Sequence, residues 1–263
     1  MILLPLVVFA IGLLIGSFLN VVILRMNTGR SVVTGRSACA RCNHTLRWYE
    51  LVPVFSFIGL RGKCRTCRNH ISVQYPIVEL ITGIVFMLLY TKFLIGGFTL
   101  GAWITFGFAA VVAALLIVIT VYDLRHKIIP DQVVYPLMLL AFASIIWRAV
   151  QDPYTTSAWG LILGGLIVAL PFFVLWYFSK GRAMGFGDVK LALAIGWLVG
   201  ITQGFTAVLL AFWIEAIVGL VLVGISRRYG MKSEIAFGPF LVIGLCIVVF
   251  WGVTIQSLFP VWQ

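Results

Sequence analysis

Long apolar runs alternate with short polar connections along almost the whole chain. A helix that crosses a bilayer needs about 20 mostly apolar residues, and eight stretches of the sequence approach or meet this requirement. They lie at residues 2–24, 74–92, 98–122, 133–150, 158–178, 188–201, 205–226 and 238–259. Only 10% of the residues are charged, against about 25% in soluble domains. The pattern predicts an all-α polytopic membrane protein with about eight transmembrane helices.

The first apolar segment is predicted to be a retained helix rather than a cleaved signal peptide. It has no basic residue before Arg25 and no small-x-small cleavage site, and its apolar run is longer than that of a signal peptide. Gly12 and Gly16 form a GxxxG pattern within it. Such a pattern permits close packing against another helix.

Basic residues give the orientation of the segments. All of the 19 lysines and arginines except Lys92 and Arg148 fall in connections, or at segment ends, on one side of the eight-segment topology. Because cytoplasmic loops carry the excess of lysine and arginine, this side is predicted to face the cytosol. The net charge of +11 is then mainly a topology signal that also attracts anionic lipids. It gives no reason to expect a nucleic-acid partner.

The polar connection of residues 25–73 carries two CxxC pairs, "CARC" and "CRTC", separated by 21 residues. This arrangement predicts a zinc-ribbon-like loop. The four thiols belong to Cys39, Cys42, Cys64 and Cys67. Two disulfides are the alternative, which a reducing cytosol disfavours. Four cysteines indicate a closed structural site, in which the metal supplies folding energy to a short loop. His44 and His70 lie nearby as alternative ligands.

Asp123 and Asp188 stand where apolar segments meet the predicted cytosolic side. Taken singly, Asp188 is explained as a helix N-cap and Asp123 as a partner of Arg125 or Lys127. Taken together, their matched depth favours two carboxylates that share a proton and hydrolyse a peptide bond. Asp123 ends a helix and Asp188 begins one. The helix dipoles therefore favour Asp188 as the ionised base and Asp123 as the proton carrier.

Two further acids have separate interpretations. Asp131 follows Pro130, and proline followed by an acid is typical of a helix start. Glu215 lies about halfway across the segment 205–226. An ionised acid there is costly, so we expect Glu215 to be protonated or to face a polar partner such as Asn20 or Gln203.

Several motifs, in order along the chain, resemble those of the prepilin peptidases, a family of GxGD membrane aspartyl proteases that includes the type IV prepilin leader peptidase/N-methyltransferases. "GSFLNVVILRM" resembles the family's first-helix signature, and the two CxxC pairs resemble its cytosolic cysteine tetrad. "DLRHKIIPD" and "GFGDVKL" resemble the two catalytic motifs, which map catalysis to Asp123 and Asp188. "FGPFL", residues 237–241, resembles a C-terminal motif.

The resemblance implies an enzyme of the bacterial inner membrane that serves type IV pilus or type II secretion systems. It implies cleavage of prepilins or pseudopilins after the glycine that ends a short basic leader. It also implies N-methylation of the new terminus with S-adenosylmethionine, and it maps Glu79 in "YPIVEL" to the transferase side. Glu50 is a further acid of the cysteine-bearing loop.

We therefore expect a first transmembrane helix at 1–24, a cytosolic methyltransferase-associated four-cysteine zinc loop at 25–73 and a seven-helix protease domain at 74–263. The sequence leaves the oligomeric state open. Two other classes of function remain open at this point. One is a proton-coupled transporter that uses Asp123, Asp188 and Glu215, although no inverted repeat is visible. The other is a zinc-bearing membrane adaptor, which leaves the aspartates without a role.

Overall fold

The computed structural model describes residues 3–151, 158–225 and 235–258. The chain divides into two compact units, Met1–Val118 and Ile119–Gln263. The helices are α1 (Leu3–Arg25), α2 (Phe55–Gly59), α3 (Gln74–Phe93), α4 (Leu100–His126), α5 (Asp131–Gln151), α6 (Ala158–Ser179), α7 (Phe186–Val199), α8 (Ile201–Ile225), α9 (Gly238–Trp251) and α10 (Ile255–Leu258). A short 3₁₀ helix spans Trp48–Glu50.

Each of the eight predicted apolar segments forms a helix, and no strand is present among the described residues. The prediction of an all-α polytopic membrane protein is thus confirmed. Six of the described helices, α1, α3, α4, α5, α6 and α8, are long and apolar enough to cross a bilayer. The other two, α7 and α9, have 14 residues each, about 21 Å of helix. Both end at a glycine with positive φ, Gly200 (83°) and Gly252 (65°), which explains why α9 stops short of the predicted residue 259.

In the first unit, α1 packs against α3 through the predicted GxxxG pattern. A Cβ atom added to Gly12 would lie 2.7 Å from the Cα of Gly83. One added to Gly16 would lie 2.7 Å from the Cα of Glu79. The two backbones therefore meet without intervening side chains, as small residues allow in membranes.

In the second unit, α7 is the central helix and contacts α5, α6, α8 and α9. Its small residues allow this crowding, because Ala192 and Ala194 are completely buried. At Gly196 a Cβ atom would lie 2.6 Å from the Cα of Gly165 on α6. The short helix α7 is consequently enclosed by protein on several sides rather than by lipid.

Gly16→Leu is expected to destabilise the first unit, because the new side chain has no space between α1 and α3. Overpacking of this kind costs about 1–3 kcal/mol, which thermal unfolding in detergent micelles measures as a lower Tm. Gly107→Leu in α4 is the matched control, since a Cβ atom there meets nothing within 4 Å. Equal Tm values for the two variants would contradict the close contact between α1 and α3.

Candidate active site

Asp123 lies in the last turn of α4 and is buried. Its Oδ2 atom accepts a hydrogen bond of 3.0 Å from the backbone N–H of Gly238. Gly238 is the first residue of α9, so this N–H has no acceptor within its own helix. A buried carboxyl group needs such a donor, and the start of α9 provides it.

This contact requires a glycine at position 238. A Cβ atom there would lie 2.7 Å from Oδ2 of Asp123 and 3.4 Å from its Cγ. Any other residue would push the carboxyl group away from the start of α9. The motif "FGPFL" therefore places its glycine against the candidate catalytic acid.

Asp188 is the third residue of α7 and is half-buried. The N-cap of the helix is Gly185 rather than Asp188, and a Cβ atom on Gly185 would lie 3.6 Å from Oδ2 of Asp188. A Cβ atom on Gly187 would lie 2.7 Å from the Cβ of Ile129. The glycines of "GFG" thus allow the start of α7 to pack closely against the segment between α4 and α5.

The second unit places Asp188 within electrostatic reach of two other acids, Asp123 and Glu215. Neither Arg125 nor Lys127 forms an ion pair with Asp123 in the described part of the chain. The simpler interpretations considered from the sequence, an N-cap at Asp188 and a basic partner for Asp123, are therefore not what the structure contains.

A salt bridge joins the start of α7 to the start of α5. Lys190 Nζ donates to Asp131 Oδ1 at 2.6 Å and to the Tyr135 hydroxyl at 3.1 Å. The same ammonium group lies 4.5 Å from the ring centre of Tyr135 and 5.3 Å from that of Phe186. Asp131 begins α5 as the sequence predicts, and it also fixes the turn of α7 that carries Asp188.

Arg148 holds the other end of α7. Its Nη2 atom donates to the backbone carbonyl of Trp197, one of the last carbonyls of α7, which have no intrahelical donor. The Trp197 indole N–H donates to the carbonyl of Ile162 on α6 at 3.3 Å. α5 therefore forms hydrogen bonds with α7 near both ends of α7.

Glu215 is half-buried in α8, and the structure pairs it with neither of the partners suggested from the sequence. Asn20 donates instead to the carbonyls of Gly16 and Tyr75. No hydrogen bond joins Gln203 to Glu215 in the described residues. Glu215 instead lies within electrostatic reach of Asp188.

The four cysteines of the loop converge. Their sulfur atoms lie within 4.8 Å of one another, and all four are free thiols. This set, Cys39, Cys42, Cys64 and Cys67, is called the cysteine cluster below. Its grouping into one site rather than two pairs fits a single tetrahedral metal ion.

Two matching turns build the cysteine cluster. In the first, Cys39 N–H donates to the carbonyl of His44 and Asn43 N–H to that of Cys39. In the second, Cys64 N–H donates to the carbonyl of Asn69 and Arg68 N–H to that of Cys64. The residue after each pair, Asn43 or Arg68, has a left-handed φ of 53° or 57°.

The backbone of the first turn prepares its leading cysteine for metal binding. The N–H groups of Cys42 and Arg41 point at the sulfur of Cys39 and lower the pKa of that thiol to about 6. A thiolate is the form that binds metal. His44 and His70 are not part of the cluster.

Glu79 in α3 and Glu50 in the loop each accept a hydrogen bond from a backbone N–H of the cysteine-bearing loop. Glu79 is buried, and its Oε2 atom accepts a hydrogen bond of 2.8 Å from the N–H of Val54. Glu50 is also buried and accepts from the N–H of Arg47 at 2.8 Å. Val54 has a φ of 62°, which is a strained conformation for a β-branched residue. Glu79 thus secures an unfavourable backbone turn.

Three residues of these sites were not identified from the sequence. Gly238 donates to Asp123, Lys190 pairs with Asp131, and Arg148 caps α7. The available signals were the motif "FGPFL" and the presence of Arg148 inside an apolar segment. An arginine inside an apolar segment is costly unless it faces a polar partner, which here is the end of α7.

We expect the purified protein to contain one metal ion per chain, bound by the cysteine cluster. Cys39→Ser or Cys67→Ser should lose the ion and lower the Tm, because metal ligation supplies folding energy to the loop. Elemental analysis and thermal unfolding measure both effects. Cys246→Ser in α9, outside the cluster, is the control and should retain the ion. Full metal content in the two cluster variants would contradict the site.

Two family models match the chain. Residues 10–93 match the bacterial peptidase A24 N-terminal domain. This range of the chain contains the cysteine cluster and Glu79. Residues 110–220 match the type IV leader peptidase family. This range contains Asp123 and Asp188. No solved structure matches the chain.

Three relatives, each named prepilin leader peptidase/N-methyltransferase, align over most of the chain. The Myxococcus xanthus protein is 34% identical over 86% of this chain and 65% of its own length, so the chain spans just under two thirds of that relative. The Xanthomonas campestris protein is 32% identical over 92% of this chain and 89% of its own length. The Aeromonas salmonicida protein is 29% identical over 93% of this chain and 90% of its own length. The chain belongs to the prepilin leader peptidase/N-methyltransferase family.

Proposed function

We propose that this chain removes the leader of type IV prepilins or pseudopilins after a glycine and then methylates the new N-terminal amine. The names of the relatives support both activities. The single observation that supports the peptidase activity is the packing around Ile129: a Cβ atom on Gly187, beside Asp188, would lie 2.7 Å from it, and one on Gly238, against Asp123, would lie 3.4 Å from it.

In the proposed reaction, an ionised carboxylate takes a proton from water, and the water oxygen attacks the carbonyl carbon of the scissile peptide. The second carboxyl group gives its proton to the amide nitrogen as the C–N bond breaks. Two carboxyl groups that lie close together cannot both ionise easily, so they share one proton. The pair therefore titrates as a unit rather than as two separate acids.

Asp188 is the proposed base and Asp123 the proposed proton carrier. The N-terminal position of Asp188 in α7 supports its ionised form. Asp123 stands at the C-terminal end of α4 but also at the N-terminal end of α9. These two helix ends act on its charge in opposite directions, so the Gly238 N–H sets the position of Asp123 more than its protonation.

The proposed topology has the cysteine-bearing loop and both aspartates on the cytosolic side of the bacterial inner membrane. The distribution of lysine and arginine supports this orientation. The same basic loops would attract anionic lipid headgroups. The basic leader of the substrate would then remain on the side where the aspartates are.

For the second activity we propose S-adenosylmethionine as the methyl donor and zinc as the resident metal. The methyltransferase name of the relatives supports the donor. Four thiolates at one point support zinc, because soft sulfur ligands in a tetrahedral set favour it. The ion would bind the four cysteines and stabilise the loop, since a closed shell of four thiolates leaves no position for a reacting molecule.

Asp123→Asn and Asp188→Asn are each expected to lower cleavage of a prepilin peptide roughly 10²–10⁴-fold, the usual contribution of general acid–base catalysis. Mass spectrometry of the peptide after incubation with the detergent-purified chain detects cleavage after glycine. Asp152→Asn, an acid between α5 and α6, is the control. A transporter or an adaptor would give no cleavage with the unmodified chain either, and full activity in either variant would refute its catalytic role.

Methylation is expected to survive the loss of the protease aspartates. A pre-cleaved peptide incubated with Asp188→Asn and S-adenosylmethionine should gain the mass of one CH₂ group on its N-terminal amine. The reason is that the two activities would use different residues. Tandem mass spectrometry locates the methyl group, and a variant that fails to methylate while remaining folded would show that the activities share a site.

A further inference from the structure

An open cavity of about 320 Å³ lies within the cysteine-bearing loop. Its volume is at the lower end of the range of small-molecule sites, roughly 300–1,000 Å³. Val52, Phe55 and Leu60 give it an apolar wall, and Tyr49 adds an aromatic ring. Nothing in the peptidase reaction makes use of this cavity.

Two opposite charges also line the cavity, Glu50 and Arg65. Glu50 is a buried residue, and its Oε2 atom is occupied by the N–H of Arg47. Within the described part of the chain, its Oε1 atom has no hydrogen-bond donor. A carboxylate that is largely withdrawn from water gains from each donor or cation it meets, so this atom is suited to a cationic or hydroxyl-bearing ligand.

Arg65 is held in place by Tyr49, another residue of the lining. Its Nη1 atom donates to the Tyr49 hydroxyl at 3.0 Å, and its guanidinium carbon lies 5.5 Å from the centre of the Tyr49 ring. A fixed guanidinium group is the usual partner of a carboxylate, because its planar donors match the two oxygens. Arg65 directly follows Cys64, so the cysteine cluster anchors this wall of the cavity.

Glu79 holds the backbone segment that carries part of the apolar wall. Its bond to the N–H of Val54 fixes the backbone between Val52 and Phe55, both of which line the cavity. Glu79 lies five residues into α3, about 7.5 Å along the helix. The apolar side chains of Phe55 (69%) and Ile58 (65%) in the same loop are exposed, which suits the headgroup boundary of a membrane.

We propose that this cavity binds the methyl donor, S-adenosylmethionine, through Glu50 and Arg65. The proposal rests on the N-methyltransferase activity proposed above. The donor combines a sulfonium cation, a carboxylate and an aromatic base. The cavity combines a carboxylate with an unoccupied oxygen, a fixed guanidinium group and an aromatic and apolar wall. Glu79 acts through the backbone and is a positioning residue rather than a ligand.

Equilibrium binding tests the assignment without relying on turnover. The full chain in detergent is titrated with S-adenosylmethionine and, separately, with S-adenosylhomocysteine, the neutral thioether that lacks the sulfonium charge. Glu50→Gln should weaken binding of S-adenosylmethionine roughly tenfold or more, the size of a lost charge-assisted interaction, and affect S-adenosylhomocysteine much less. Arg65→Ala should weaken both to a similar degree, because both ligands carry the carboxylate.

The controls separate loss of ligand contacts from loss of fold. Glutamine at position 50 can still accept from the Arg47 N–H, and cleavage of a prepilin peptide should remain unchanged in every variant. Tyr49→Phe removes the hydroxyl that holds Arg65 and should weaken both ligands moderately. Arg30→Ala, an exposed arginine outside the cavity, should bind both ligands as the unmodified chain does.

Unchanged binding of both ligands in Glu50→Gln and Arg65→Ala, with normal methylation by the unmodified chain, would overturn the cavity assignment alone. If the unmodified chain neither binds the donor nor methylates a pre-cleaved peptide, the proposed methyltransferase activity fails, and the cavity assignment fails with it. These two results differ in the behaviour of the unmodified chain and cannot be confused.

Discussion

A buried carboxyl group needs a hydrogen-bond donor, and in this chain a helix that begins 115 residues further on provides it. The Gly238 N–H satisfies Asp123 at the point where α9 begins. This single contact explains why position 238 has no side chain, since a Cβ atom would lie 2.7 Å from the carboxyl oxygen. It also fixes the end of α4 against the start of α9, and Ile129, just after α4, packs against both Gly238 and Gly187, the neighbour of the second acid.

That second acid is positioned by the helix that carries it. α7 has 14 residues and is enclosed by four neighbouring helices. α5 holds it near both ends, because Asp131 accepts a hydrogen bond from Lys190 and Arg148 donates one to the carbonyl of Trp197. An exposed ion pair adds about 0–1 kcal/mol of stability. The value of these contacts therefore lies in fixing the depth and rotation of Asp188.

The sequence was sufficient for the helices, the GxxxG contact, the clustering of the cysteines and the family, because each depends on local pattern or on short motifs. The family and the class of enzyme are confirmed by the relatives. The contacts of Gly238, Lys190 and Arg148 were not predicted, since they join residues distant in the chain and hydropathy contains no information on pairing. The roles of Asp123, Asp188 and Glu79 and the three-part division of the chain remain predictions. The hydrogen bond from the N–H of Val54 gives Glu79 a structural role in the loop.

The most direct test of this account is the kinetics of prepilin cleavage by Gly238→Ala. The new methyl group must displace the Asp123 carboxyl group, so we expect kcat to fall roughly tenfold or more with little change in KM, as for an interaction made only in the transition state. Gly224→Ala in α8, where a Cβ atom meets nothing within 4 Å, should retain the unmodified rate. An unchanged kcat in a folded Gly238→Ala protein would contradict the central role of the contact between Gly238 and Asp123.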